Sequence, residues 1–194
     1  MAGETQTAAA GEGVRTSAHD WAQLQSDDVF YPSLLKPQVR PAKWTWEDVS
    51  DFLGELSKDP LRGADRRFVA LVNEDTGTNG CSPGLFIGIQ VMNPGEHITN
   101  HRHNSVAIYH ILQGEGYTNV DGERIDWVKG DTFVCPAWNY HEHFCVGEEQ
   151  AIHYVVQDMV ELSTLRALMF EEPKGVEHIR QVQKGFAPHR DTEH

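Results

Sequence analysis

Eleven histidines occur in 194 residues, and seven of them fall between His97 and His153. His101 and His103 form a His-x-His pair. On a strand, side chains two apart share a face, so these two imidazoles aim at one point. His141 follows 38 residues after His103. In a barrel, antiparallel strands bring it beside the first pair. Three converging imidazoles make a facial metal site with open positions opposite. Imidazole ligation permits Fe, Zn, Ni, Cu or Mn. Neutral ligands leave the cation its full +2 charge. That favours an anionic chelating substrate, such as a phenolate beside a carboxylate, and leaves a position for dioxygen.

The same parity nominates neighbours. Ala107, Tyr109 and Ile111 fall on the face of His103, and His143 on that of His141. Tyr109 either donates a hydrogen bond to a bound oxygen or fills the barrel with its ring. His143 either moves a proton, binds substrate or packs. Gln90 is a pocket candidate from a neighbouring strand, or satisfies a backbone group. His153 reaches the pocket from a later strand, and Trp138 packs its wall. Tyr109 and His143 are thus the catalytic candidates, and Gln90, Ala107, Trp138 and His153 the substrate-binding ones. Cys145 shares the inward parity of His141 as a buried thiol. His97 and His110 face loop or solvent. Arg66 and Arg67 read as ion-paired structure.

The elements that must hold these groups follow from periodicity. Residues 1–18 are small and polar and read as a disordered arm. Residues 19–64 form an N-terminal extension, irregular and extended from Trp21 to Pro41. A helix follows, with Thr45 as cap, Trp46, Val49, Phe52, Leu53 and Leu56 at helical spacing, and Pro60 as stop. Residues 65–170 hold the barrel. Short strands are expected at 67–72, 85–92, 105–112, 117–120, 124–128, 131–135, 141–146 and 151–157, with an Asp121-Gly122 hairpin turn. Residues 161–170 look helical, and 171–194 form a polar tail. Many short strands with turns between them give an all-β barrel or sandwich.

Composition narrows the partners. The net charge of −13, from 16 basic and 29 acidic residues, disfavours nucleic acid. No apolar run approaches the roughly 18 residues a membrane helix needs. No basic and apolar secretory leader is visible. Three cysteines make no even disulfide framework, which fits reduced thiols and a cytoplasmic location. Exposed sheet edges favour a homodimer, with the N-terminal segment a candidate for crossing to the partner.

The residues also resemble a known family. Gly95-x5-His101-x-His103 with Gly114, and Gly130-x5-Pro136-x4-His141, are similar to the two cupin motifs. A glutamate common in that pattern is replaced here by Ala107. Lys43-Trp44-Thr45-Trp46, Asp65-Arg66-Arg67, Gln90, Pro94-Gly95-Glu96, Gly130 to Trp138, Tyr140 to His143 and Gln157-Asp158 resemble stretches of gentisate 1,2-dioxygenase-like cupins. The resemblance spans roughly residues 40 to 160. It implies a cupin (double-stranded β-helix, jelly-roll) barrel with an N-terminal helical and extended arm and a short C-terminal helix. It implies His101, His103 and His141 as ligands of Fe(II), with Zn, Ni or Mn open. It implies ring cleavage of a hydroxylated aromatic of the gentisate, salicylate or hydroquinone kind by O2. Those dioxygenases carry two cupin domains where this chain carries one. They place an arginine for the substrate carboxylate where this chain has Tyr109, so gentisate itself is not implied. A cupin isomerase, lyase or hydrolase, or a non-catalytic ligand-binding cupin, is the alternative.

Overall fold

Two units divide the chain, Met1–Gln38 and Val39–His194. The structure is a computed structural model that describes residues 13–19, 21–35, 38–172 and 180–181. Of the expected N-terminal arm, residues 1–12 lie outside the described residues. Val14–Thr16 form strand β1, which pairs antiparallel with β2, Gln23–Gln25. The stretch read as irregular also contains a helix, α1, Asp27–Leu34. Asp27 and Asp28 in its first turn complement the helix dipole. Pro32 lies near the C-terminal end, so its missing N–H removes one bond rather than breaking the element.

The second unit begins with α2, Trp46–Lys58. Thr45 caps it by accepting a hydrogen bond from the Asp48 backbone N–H at 3.2 Å. The helix stops ahead of Pro60, which holds Asp59 in an extended conformation. Val49, Leu53 and Leu56 bury one face against Val69, Leu71, Ile89, Val91 and Ile152. Each such apolar side chain contributes about 1.5–3 kcal/mol on burial.

The strands follow as β3 (Phe68–Ala70), β4 (Phe86–Met92), β5 (His97–His103), β6 (Ala107–Gln113), β7 (Glu115–Val120), β8 (Glu123–Val128), β9 (Thr132–Cys135), β10 (His141–Cys145) and β11 (Ala151–Gln157). Helix α3 (Met159–Thr164), β12 (Met169–Glu171) and β13 (Arg180–Gln181) complete the described elements. One antiparallel sheet has the order β13-β12-β5-β10-β7-β8, the other β3-β4-β11-β6-β9. Apart from the β7–β8 hairpin, strands from β4 to β12 alternate between the sheets, the path of a jelly roll. The hairpin turns on Asp121 and Gly122, both at positive φ, as expected of that pair. Met92, Ile111 and Ala151 from one sheet meet Ile98, Trp127 and Cys145 from the other in a shared core. The eight expected strands match β3, β4 and β6 to β11 to within two residues, β5 was not among them although it carries the His101 and His103 pair, and the cupin jelly-roll fold is confirmed.

The C-terminal reading needs correction. The expected helix over 161–170 ends at Thr164, and Met169–Glu171 is a strand on the edge of β5. Asn104 explains the change. Its side chain donates to the Ala167 carbonyl at 2.8 Å and accepts from the Met169 N–H at 2.8 Å. Sheet pairing thus overrides local helical preference. Apart from Arg180–Gln181, the expected tail beyond Glu172 lies outside the described residues.

Candidate metal centre

The histidine pair owes its aim to a bulge. His141 pairs with His101, but His143 pairs with Ile98, so three steps on β5 face two on β10. A strict alternation would put Ile98 and His101 on opposite faces. The extra residue turns His101 and His103 inward, to the side on which Ile98 joins the core. Asp65 anchors the bulge. Its Oδ1 accepts from the Thr99 N–H at 2.8 Å and from the Thr99 hydroxyl at 3.1 Å.

Backbone carbonyls orient all three rings. His101 Nδ1 donates to Thr99 O at 2.8 Å, His103 Nδ1 to Ser105 O at 2.8 Å and His141 Nδ1 to Asn139 O at 2.9 Å. Ser105 Oγ lies 2.9 Å from His103 Nδ1 and itself donates to Gln157 Oε1 at 3.0 Å. Asn139 and Tyr140 are fixed in turn by the Asp121 carboxylate, at 2.6 and 3.0 Å. A carbonyl only accepts, so each Nδ1 carries the proton and each Nε2 presents a lone pair. One ring nitrogen from each of the three residues lies within 4.8 Å of the others.

Two observations fit a metal ion here. His141 Nε2 is buried and has no hydrogen-bond partner, so its lone pair is free to coordinate a cation. Burial, with repulsion from His101, lowers His103 to about 4. Burial likewise lowers His101, and pushes His141 well below the usual imidazole range. All three are therefore neutral donors at pH 7. Among the described residues no carboxylate joins this cluster.

Beside the rings opens a pocket of about 260 Å³. Phe68, Phe86, Ile98, Val155, Met159 and Phe170 give it an apolar wall. Asp65, Arg66, Gln90, Tyr109, Gln157 and Glu172 also line it. Phe170 lies 5.8 Å from the His101 ring and 6.0 Å from that of His103. Arg66 is ion-paired to Glu172 at 2.8 Å, and Arg67 to Glu96 at 2.6 Å.

The other nominated residues divide. Gln90 and Tyr109 line the pocket, and Gln90 Nε2 also donates to Ala64 O at 3.3 Å. His143 is fully buried behind Tyr109, its Nε2 3.2 Å from the phenol oxygen. Ala107 is buried with Cys135 and Val155 in the barrel core. His153 is buried edge-on to Trp127 at 4.7 Å, with neither ring nitrogen bonded. Trp138 takes positive φ, its N–H donates to His103 O at 2.8 Å, and its ring lies 4.3 Å from the Arg102 guanidinium. None of these last three is on the pocket wall among the described residues. Parity locates inward side chains but not their depth, and Trp138 sits on a loop where parity does not apply.

Phe68, Phe86, Phe170 and Gln157 were missed as wall residues. Gln157 falls in the family-like Gln157-Asp158 pair, which was an available signal. Phe170 was hidden by its helical reading. Phe68 and Phe86 read as ordinary strand apolar residues.

Comparison with known proteins agrees with this geometry. The cupin domain family matches residues 88–157. A 5-nitrosalicylic acid 1,2-dioxygenase from a Bradyrhizobium species is 43% identical over 172 residues, 86% of this chain and 83% of that protein. A gentisate 1,2-dioxygenase from a Ralstonia species is 33% identical over 145 residues, 72% of this chain but 40% of that protein. The salicylate 1,2-dioxygenase structure from Pseudaminobacter salicylatoxidans shares the fold, with a TM-score of 0.67 and 23% identity, covering 76% of this chain and 43% of that one. This chain therefore spans less than half of the latter two proteins and most of the first. With that extent of identity, the chain belongs to the gentisate 1,2-dioxygenase-like branch of the cupin superfamily.

Proposed function

We propose that this chain is a non-haem Fe(II) dioxygenase that opens the ring of a hydroxylated aromatic carboxylate with O2. The observation that carries the reading is the triad itself: three Nδ1 protons spent on backbone carbonyls and three Nε2 lone pairs left free, with His101 and His103 on the wall of an aromatic-lined pocket. The similarity to ring-cleaving dioxygenases supports it. His101, His103 and His141 would hold Fe(II), which would supply the redox chemistry that ring opening by O2 requires.

The chain's own residues do the rest. The Nδ1 tethers hold the donors in place before substrate arrives. Phe68, Phe86 and Phe170 exclude water and confine the substrate ring between flat walls. Gln90 and Tyr109 offer hydrogen bonds from the wall, where Arg66 is held in its ion pair with Glu172. His143 orients the Tyr109 hydroxyl. Among the described residues the donor set is three neutral imidazoles, which would leave a bound divalent cation its full charge and so would favour an anionic substrate.

A homodimer fits the exposed Val134 on the edge strand β9 beside exposed Ile108. Three free cysteines fit a cytoplasmic location. The test is anaerobic reconstitution with Fe(II), then oxygen consumption with salicylates, hydroquinones, catechols and aminophenols. Stoichiometric uptake with a salicylate is expected, and uptake confined to hydroquinones or catechols would overturn the carboxylate. Turnover with Zn or Ni that draws no oxygen would replace this reading with an isomerase, lyase or hydrolase.

A further inference from the structure

Behind the pocket wall, the hydrogen-bond donors and acceptors have one self-consistent arrangement. Trp127 Nε1 can only donate. It does so to Thr118 Oγ1 at 3.0 Å. Thr118 is fully buried, and its hydroxyl proton needs an acceptor. Among the described residues, the acceptor in reach is His143 Nδ1 at 2.8 Å. That nitrogen therefore accepts, and the imidazole proton sits on Nε2. Nε2–H donates to Tyr109 Oη at 3.2 Å. With its oxygen accepting from His143, the phenol's own proton is directed elsewhere, and Tyr109 is itself a wall residue of the pocket. The opposite polarity would strand the Thr118 proton and leave Tyr109 showing the pocket a lone pair alone. Gly116 makes the line sterically possible, because a Cβ there would come within 2.4 Å of the Trp127 ring.

We propose that the Trp127–Thr118–His143 line fixes Tyr109 as a neutral hydrogen-bond donor to the pocket, so that the site selects aromatic substrates presenting it an acceptor oxygen that carries no proton. A nitro or a carboxylate oxygen has that chemistry. A hydroxyl or amine can offer a proton as well, and gains less. An arginine at this position would demand an anion, whereas a phenol does not. Thr118 and Trp127 are positioning residues, and Tyr109 is the one that touches substrate. What occupies the pocket rests on the ring-cleavage reading; the direction of the line does not.

The test uses zinc-loaded protein, so no turnover intervenes. Nitrogen-15 histidine NMR is expected to find His143 protonated at Nε2 in the wild type and in T118S. In T118V neither tautomer is satisfied at Nδ1, and a mixture is expected. An Nδ1-protonated wild type overturns the proposal. Dissociation constants for 5-nitrosalicylate and salicylate then identify the acceptor. Y109F should weaken 5-nitrosalicylate about tenfold, the scale of one hydrogen bond. If salicylate is spared, the nitro group is the acceptor; if both weaken alike, the carboxylate is. T118V should move affinity in the same direction, and T118S should restore it. Failure of 5-nitrosalicylate to bind, or equal affinity for it in wild type and Y109F, overturns the proposal. Because the tautomer and affinities need no oxygen, a failed oxygen-uptake experiment would remove the ring-cleavage reading and leave this one standing.

Discussion

Two groups of histidines, all buried except the half-buried His101, lie inside the same barrel and are held in opposite ways. His101, His103 and His141 each give Nδ1 to a backbone carbonyl. His143 is held by two side-chain hydroxyls, and His153 by no hydrogen bond. Burial lowers the imidazole pKa in both groups. The difference lies in what the partner can do. A carbonyl cannot donate, so it fixes the tautomer by itself and frees Nε2 for a metal. A hydroxyl can act either way, so its polarity is set one neighbour further out, here by Trp127. Low basicity alone therefore does not identify a ligand; the tether does.

The sharpest break of this contrast is H141A against H143A. H141A should lose bound metal and reduce oxygen uptake by at least about a thousandfold, the scale of several kcal/mol of lost metal assistance. H143A should retain metal and lose rate alone. Metal content by mass spectrometry, beside oxygen uptake, checks both. If H143A emptied the site as H141A does, the two groups would not be distinct.

Next in size is D65A. Removing the carboxylate frees the Thr99 N–H and hydroxyl, and with them the carbonyl that holds His101 Nδ1. Loss of such an outer support should lower metal affinity about 10–100-fold, measured by chelator competition. D65N keeps an acceptor oxygen and should recover most of it. Equal affinity in all three proteins would mean that the bulge holds without Asp65.

Much of this was legible in the sequence. His101 and His103 share a face because of a two-residue period, and the Asp121-Gly122 turn follows from backbone sterics. The cap at Thr45 follows from a hydroxyl placed before an amphipathic run. What escaped depended on partners distant in sequence. The β5 bulge rests on Asp65, 34 residues before Thr99. Strand β12 rests on Asn104, which captures a segment about 65 residues later. Tyr109 and His143 were found by parity, but the direction of the bond between them depends on Thr118 and Trp127, which no motif marks.

Phe170 lies on that captured segment, against the rings of His101 and His103. F170A should therefore raise KM several-fold while metal affinity stays near that of the wild type, since it removes flat apolar wall rather than a tether. Steady-state oxygen uptake over a substrate series separates the two parameters. A lowered metal affinity with unchanged KM would instead make Phe170 a support of the triad.

The smallest effect isolates His153, the histidine with no tether. Burial lowers it to about 3 from an unfolded-state value near 6.5. Above pH 6.5 it is neutral in both states and adds no pH dependence. Between pH 6.5 and about 3 the unfolded chain binds a proton that the native protein refuses. Stability should then fall with acidification by about 1.4 kcal/mol per pH unit from this group, levelling below its native value. The other buried imidazoles add similar slopes, so the informative quantity is the difference from H153L. That variant should lose about one proton's worth of slope between pH 6 and 4 while changing little at pH 7, because leucine carries no nitrogen to leave unpaired. Denaturant unfolding of metal-free protein across that range measures it. Parallel curves for wild type and H153L would mean that the native barrel admits a proton at His153, and that its depth does not keep it neutral.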